Sequence, residues 1–392
     1  MNPATPYVVA KGTKVPRVLV VDDSKTMRNL ISGTLDGSFE SLQALDGEDA
    51  LEKYPVFKPH IIVLDLDMPR MNGLDVIEGI RIGHKDQDTF IIVLSGHEEN
   101  ELKAEALNRG ANDYLTKPFH PAELKARVGV AGRQVFLNLE LRRAYARISA
   151  EIALVASLQN QLLPRQDMLV QGLEIKSLYH PSGQASGDYY DYFPMQDGRI
   201  RLVLADIAGK GAHAAFLMAI LHAFFHLGRN ENHSLEKTLT LINNHLMEIC
   251  PAGSGFATLF AADLDLDSKT LSYINAGHCP ALMLNFAGES TKLEAQTYPL
   301  GVLDIHFIAE TISFNLGSRL FLYTDGMFEW ELDQSKMLSL DDFLEQAEIA
   351  ASCEEPFLEA LPKRLALLAS SPPRYMDDQA ALWVRWTGES RT

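Results

Sequence analysis

Cysteine, positive charge and long apolar runs are all scarce in this chain. The 392 residues include three cysteines, Cys250, Cys279 and Cys353. An odd count without metal-ligand spacing completes neither a disulfide framework nor a zinc site, so buried thiols in a reducing compartment are expected. The longest apolar stretch, near 214–227, is broken by His222 and His226 and is too short to span a bilayer. The N-terminus lacks the continuous apolar segment of a signal peptide, and a cytoplasmic protein with no membrane partner is expected. Thirty-five Lys and Arg against 52 Asp and Glu leave a net charge of -17. Such a surface repels phosphate backbones and anionic lipids, and no basic cluster or helix-turn-helix pattern offsets it. No nucleic-acid partner is expected, and a transcription factor is poorly supported.

The length exceeds one ordinary core, so two or three domains are expected. Hydrophobic residues at 46% and charged residues at 22% are those of a globular protein. From residue 17 to about 127, apolar runs alternate with amphipathic stretches, the pattern of a parallel α/β sheet. Runs at 17–21, 60–64, 90–94 and 113–115 end at Asp22-Asp23, Asp65, Ser95 and Lys117-Pro118. Ligands bind at the carboxyl ends of strands in open sheets of this kind. There Asp65 would attack phosphorus and carry an acyl phosphate. Asp23, helped by Asp22, would hold Mg²⁺ beside Asp65 with the backbone carbonyl of Asp67. Lys117 supplies a point charge for phosphate oxygens, and the Ser95 hydroxyl can bond to one of them. Pro69 and Gly73 would shape the loop after Asp65. Taken singly, Asp22-Asp23 also suits a cap for a helix beginning near Lys25, and Lys117-Pro118 suits an ordinary loop. Together and in order, the set resembles a two-component receiver domain. That resemblance implies a doubly wound parallel five-stranded sheet, a phosphorylatable Asp65, Tyr114 as the switch aromatic and a cognate sensor histidine kinase as partner.

Residues 137–163 contain no glycine or proline, and Pro164 stops the run. Leu141, Tyr145, Ile148, Ile152 and Val155 alternate four and three apart as in a heptad seam. Leu158 and Leu162 continue it after a slip. Such a helix either packs on its own C-terminal domain or pairs with a second copy in a homodimer through 137–163. It could transmit a rearrangement from one domain to the next.

Beyond Pro164 four aspartates recur in strand-end or glycine-turn contexts. They sit in Ala-Ser-Gly-Asp188-Tyr-Tyr-Asp191, Leu-Ala-Asp206-Ile-Ala-Gly-Lys-Gly211, Leu-Tyr-Thr-Asp325-Gly326 and Tyr-Met-Asp377-Asp378. Converging carboxylates repel unless hard divalent cations lie between them, which points to a two-metal hydrolase. Each has an ordinary alternative: turn acceptors at Asp188 and Asp191, a type I′ hairpin at Asp325-Gly326, a solvated loop at Asp377-Asp378. With Asn275-Ala-Gly-His278 and Pro299-Leu-Gly301 in order, the stretch 161–386 resembles the bacterial PP2C-like serine/threonine phosphatases of the sporulation stage II E type. The resemblance implies an α+β four-layer α-β-β-α sandwich, joined to the receiver by the long helix. It also implies metal ligands at Asp188, Asp206, the Ile207 carbonyl, Asp325 and Asp377. All-oxygen ligands favour two Mn²⁺ or Mg²⁺ over zinc. Gly209 and Gly211 would let the backbone turn after Asp206. His278 is read as turn-stabilising, and His213, His222 and His226 as structural. Ala208, Trp330 and Ala380 depart from the family pattern without removing a ligand.

The expected domains are a flexible 1–16, a receiver at 17–130, a helical linker at 131–164, a phosphatase at 165–388 and a tail at 389–392. The expected function is a response regulator in which phosphorylation of Asp65 controls a protein serine/threonine phosphatase. By resemblance, its substrate is a phosphorylated anti-sigma-factor antagonist. The alternative is a receiver-regulated pseudophosphatase that holds a partner.

Overall fold

The computed structural model describes residues 15–96, 100–183, 185–250, 255–333, 336–368, 374–375 and 377–388. The expected N-terminal segment up to residue 14 and the tail 389–392 lie outside the described residues. Two compact units divide the chain, Met1–Arg147 and Ile148–Thr392.

The first unit runs β1 (Arg17–Val21), α1 (Lys25–Leu35), β2 (Glu40–Ala44), α2 (Gly47–Phe57), β3 (Ile61–Asp65) and α3 (Gly73–Glu78). After a π-helical turn at Gly79–Gly83 come β4 (Phe90–Ser95), α4 (Asn100–Asn108), β5 (Asp113–Thr116) and the first part of α5 (Pro121–Leu162). The strands pair in parallel in the order β2-β1-β3-β4-β5. Strand residues alternate between the two sides of the sheet. Val18 and Val20 pack with Ile31 and Leu35 of α1 and with Leu124 and Val128 of α5. Leu19 and Val21 pack with Tyr54 of α2 and Val76 of α3. Helices therefore cover both sides, as the doubly wound expectation requires. Helix α1 begins at Lys25 because Ser24, not either aspartate, is its cap: the Ser24 hydroxyl accepts from the Met27 amide.

Helix α5 is a single element of 42 residues. Its start is buried in the first unit through Leu124, Val128 and Ala131, whereas Leu141, Tyr145 and Ile148 are exposed. One helix thus completes the first core and carries the chain out of it.

The second unit opens with β6 (Met168–Val170), β7 (Leu173–His180), β8 (Asp188–Pro194), β9 (Ile200–Ile207), α6 (Ala212–Asn230) and α7 (Leu235–Ile249). It continues through β10 (Ala257–Asp265), β11 (Thr270–Ala276), β12 (Ala281–Leu284), β13 (Ser290–Leu293), β14 (Glu310–Ser313) and β15 (Arg319–Tyr323). It ends with β16 (Trp330–Asp333), β17 (Lys336–Met337), α8 (Leu340–Ala351), α9 (Phe357–Ala366), β18 (Arg374–Tyr375) and β19 (Gln379–Trp386). One antiparallel sheet has the order β14-β11-β10-β9-β8, the other β13-β12-β15-β19-β7-β6, and a small sheet β17-β16-β18 stands beside them. Leu320, Leu322 and Val384 belong to the core shared with the first sheet, which also takes in Leu221 and Phe225 of α6 and Ile242 of α7. The alternate residues Phe321, Tyr323 and Trp383 pack with Phe343 of α8 and Phe357 of α9. Alternation along β15 and β19 thereby builds the α-β-β-α layering.

Candidate functional site

In the first unit, three strand ends deliver the charged residues. Asp22 follows β1, Asp65 ends β3 and Lys117 follows β5. The Lys117 ammonium lies 2.7 Å from an Asp65 carboxylate oxygen and 3.0 Å from one of Asp22. Ligand atoms of Asp22, Asp23 and Asp65 all lie within 4.8 Å of one another. Burial raises the Asp65 carboxyl to about 6 and the charge of Asp22 adds to the rise, while Lys117 opposes it. Burial pulls the Lys117 ammonium down, but its hydrogen bonds to Asp65 and Asp22 prevail and hold it above its usual value. The Ser95 hydroxyl, buried at the end of β4, has no hydrogen-bond partner among the described residues. Three crowded carboxylates, one lysine and a free hydroxyl donor suit a hard divalent cation together with a phosphoryl group. Asp67 is exposed, and its amide bonds the Asp65 carboxylate. Tyr114 is exposed at 39%, with the Lys103 ammonium 5.6 Å from its ring centre.

In the second unit the acidic residues come from both large sheets. Pairing of β8 with β9 sets Asp188 directly opposite Asp206. Asp188 lies in a strand rather than a turn, and the Thr324 hydroxyl, just beyond β15, donates to it at 2.8 Å. Asp325 begins a 3₁₀ turn, Asp325–Met327, not a hairpin. The Lys210 ammonium reaches Asp377 at 2.7 Å. A Cβ on Gly326 would collide with the Asp378 carbonyl, so this position keeps the Asp325 turn and the Asp377 loop together. Gly209 and Gly211 both adopt positive φ, 105° and 72°, as expected after Asp206.

The electrostatics report the convergence. Burial first, then the charges of Asp325, Asp377, Asp378 and Glu329, push the Asp206 carboxyl up to about 7. Burial and the facing Asp206 hold Asp188 well above the carboxylate range. Asp325 is raised by burial and by Asp377. No three of Asp188, Asp206, Asp325 and Asp377 place ligand atoms mutually within 4.8 Å. A Cβ on Gly187 would come within 2.7 Å of the Ile207 carbonyl and 3.6 Å of an Asp206 carboxylate oxygen, so the missing side chain leaves open a cradle lined by hard oxygens. The donor set is all oxygen and mutually repelling, which fits hard divalent cations.

Sequence reasoning missed two participants and left one unassigned. Glu329 has its carboxyl raised by burial and by Asp325 and Asp377. Lys210, inside the glycine motif, was not singled out. Asp378 acts as a tie: its carboxylate accepts from the Ser182 amide at 2.6 Å and from the Gly187 amide at 2.9 Å. Its carboxyl stays below the usual range because these donors outweigh burial. His278 is neutral, with burial lowering it to about 4. The Asn275 side chain accepts from the His278 amide at 2.8 Å, so this motif ties a turn. Trp330 donates to the Gly326 carbonyl at 3.2 Å and fills the core under α8. Ala380 bonds Thr324 through its amide, and the Ala208 amide donates to the Phe256 carbonyl, so none of the three departures takes a ligand position. A cleft of about 450 Å³, lined by Leu178, Pro181, Met327, Trp330 and Pro362 among others, opens beside Asp377.

Comparisons with known proteins agree with this division. The family model "Response regulator receiver domain" matches residues 18–129, and that of "Stage II sporulation protein E (SpoIIE)" matches residues 196–387. Chemotaxis protein CheY of Thermotoga maritima is 38% identical over 110 residues, which is 28% of this chain and 90% of CheY. Phosphoserine phosphatase RsbP of Bacillus subtilis is 27% identical over 183 residues, 46% of this chain and 45% of RsbP. The chain thus matches less than half the length of RsbP. The SiaA-PP2C domain of Pseudomonas aeruginosa superposes with a TM-score of 0.52 at 18% identity, covering 62% of this chain and 98% of that one, which shows a shared fold. The chain belongs to the two-component response regulators, with an N-terminal receiver domain and a C-terminal PP2C-like domain of the stage II sporulation protein E type.

Proposed function

We propose that the chain is a receiver-controlled, Mn²⁺- or Mg²⁺-dependent protein serine/threonine phosphatase. The observation that carries this reading is Asp188 facing Asp206 across β8 and β9, with the charges of Asp325 and Asp377 bearing on Asp206. In this reading Asp188, Asp206, Asp325, Asp377 and the Ile207 carbonyl hold two hard cations. When bound, these supply neutralising charge and activate water for in-line attack on phosphorus. Asp206 and Asp188, deprotonated on loading, fix the ligand frame, and Thr324 orients Asp188. Lys210, which bonds Asp377, would offer its charge to phosphoryl oxygens where Asp377 serves as a metal ligand. The apolar cleft beside Asp377 would take the polypeptide that carries the phosphate. Asp65 accepts a phosphoryl group from a sensor histidine kinase, with Mg²⁺ held by Asp22, Asp23 and the Asp67 carbonyl. Ser95 and Lys117 then take the new oxygens, and Tyr114 responds.

The substrate class is a phosphoserine or phosphothreonine on an anti-sigma-factor antagonist in a partner-switching pathway in the cytoplasm. The relative named a phosphoserine phosphatase supports this. No helix among the described residues is long and apolar enough to cross a membrane. The exposed stripe on α5 is read as the contact of a homodimer through 137–163. Phosphate release from a phosphoserine protein, with and without acetyl phosphate, for wild type and Asp65→Asn, tests the control. The expected result is a turnover change with acetyl phosphate that Asp65→Asn abolishes. Equal turnover in all four conditions would overturn it.

A further inference from the structure

On the side of β8 away from Asp188 lies a second group of metal-binding side chains, outside the catalytic carboxylates. Tyr189, Asp191 and Phe193 alternate toward α6, where His222 and His226 stand one turn apart. Ring contacts mark the interface: Tyr189 meets Phe225 and His222, and Phe193 meets His226 with centroids 5.0 Å apart. The Asp191 carboxylate is buried and fixed at both oxygens. Its Oδ1 accepts from the Tyr192 amide at 2.8 Å, and its Oδ2 accepts from the Tyr189 hydroxyl at 2.9 Å. The same Oδ2 lies 2.9 Å from His226 Nε2 and 3.5 Å from His222 Nδ1. All three ligand atoms lie within 4.8 Å of one another.

The geometry points to a transition-metal site of the Zn²⁺ class formed by Asp191, His222 and His226. Tetrahedral Zn²⁺ with bonds of about 2.0–2.2 Å separates its ligand atoms by about 3.3–3.6 Å. The Asp191–His222 separation of 3.5 Å lies in that range, and the Asp191–His226 separation of 2.9 Å is shorter, so His226 moves outward when an ion enters. Two imidazoles and one carboxylate select a borderline cation, whereas the all-oxygen catalytic group selects Mn²⁺ or Mg²⁺. The two imidazole side chains are 22% and 34% exposed, so an ion and a fourth, water ligand have access from solvent. Tyr189 and the Tyr192 amide hold the carboxylate in place, as outer hydrogen bonds do in built metal sites. A cation there pins α6 to β8. Helix α6 follows directly on the Gly209–Gly211 turn after Asp206, and Gln159 at the end of α5 bonds the Ser186 carbonyl and the Met218 sulfur of α6. The site therefore fixes the helix that adjoins both the catalytic turn and the end of the connector.

The test is a Co²⁺ titration of the full chain carrying Asp65→Asn and Asp206→Asn, which weakens the oxygen-only sites. A four-coordinate nitrogen-containing site gives intense visible bands, and six-coordinate oxygen ligation gives weak ones. One equivalent of Co²⁺ with intense bands, displaced by Zn²⁺, is expected. Adding His222→Gln and His226→Gln should abolish the bands, and His226→Gln alone should weaken Co²⁺ binding at least ten-fold, with the far-ultraviolet circular dichroism unchanged. Absence of the bands in the parent chain, or their survival in the folded histidine variants, would overturn the assignment and leave an imidazole–carboxylate pair.

Discussion

At the residue scale, charge crowding explains more than hydrogen bonding does. Asp206 is raised to about 7 by burial and its acidic neighbours, so without cations the folded state binds protons that the unfolded chain releases. Folding is then weakened as pH rises from about 4 toward 7, and cation binding removes the penalty. His278 has the opposite sign. Its folded value of about 4 lies below the ordinary 6.5, so the unfolded chain takes up protons first on acidification. Its contribution is complete above pH 6.5 and fades as pH falls toward 4. Denaturant titrations from pH 7 to 4 should show His278→Gln losing less stability than wild type across that window. Parallel curves would contradict the neutral buried imidazole. The four aspartates proposed as metal ligands were legible in the sequence because each adjoins a glycine or a strand end. The approach of Glu329 and Lys210 was not, since neither has a spacing that marks it, and the facing of Asp191 with His222 and His226 depends on which side of β8 meets α6.

At the element scale, strongly apolar strands were readable and edge strands were not. Helix α7 is legible at 235–249, because its apolar period is clear and Ser234 caps it. Strands β2, β13 and β14 carry no such signal: Glu-Ser-Leu-Gln-Ala, Ser-Thr-Lys-Leu and Glu-Thr-Ile-Ser are short, β13 and β14 are mostly exposed and β2 grades from exposed to buried without alternation. Helix α5 extends back to Pro121 through Gly129 and Gly132, and Gly132 is tolerated where Phe39 packs closely. Between β9 and β10 the buried Arg201 guanidinium holds Asp263 with two bonds of 2.7 and 2.8 Å and also reaches the His233 carbonyl at 2.9 Å. Arg201→Ala leaves a buried carboxylate with fewer partners and should cost about 3–5 kcal/mol. Chemical denaturation measures this, and a loss within about 0.5 kcal/mol, the range of an ordinary surface change, would contradict the buried pairing.

At the scale of the whole molecule, the two acidic groups lie on separate compact units joined by one helix. Tyr145 and Ile148 on that helix are exposed and belong to neither proposed site. If a second copy covers them, Ile148→Asp should convert a dimer to a monomer in light scattering, with Mn²⁺-dependent hydrolysis of a small phosphate ester retained. An unchanged mass would rule out pairing through this stripe. The central claim is hydrolysis at a site built from Asp188, Asp206, Asp325 and Asp377. Steady-state phosphate release from a phosphoserine peptide in Mn²⁺, for wild type and Asp206→Asn, tests it most directly. The account predicts turnover by the wild type that a chelator abolishes, and a loss of at least about a hundred-fold in the variant. A wild type without turnover when loaded with Mn²⁺, or a variant as active as the wild type, would contradict it.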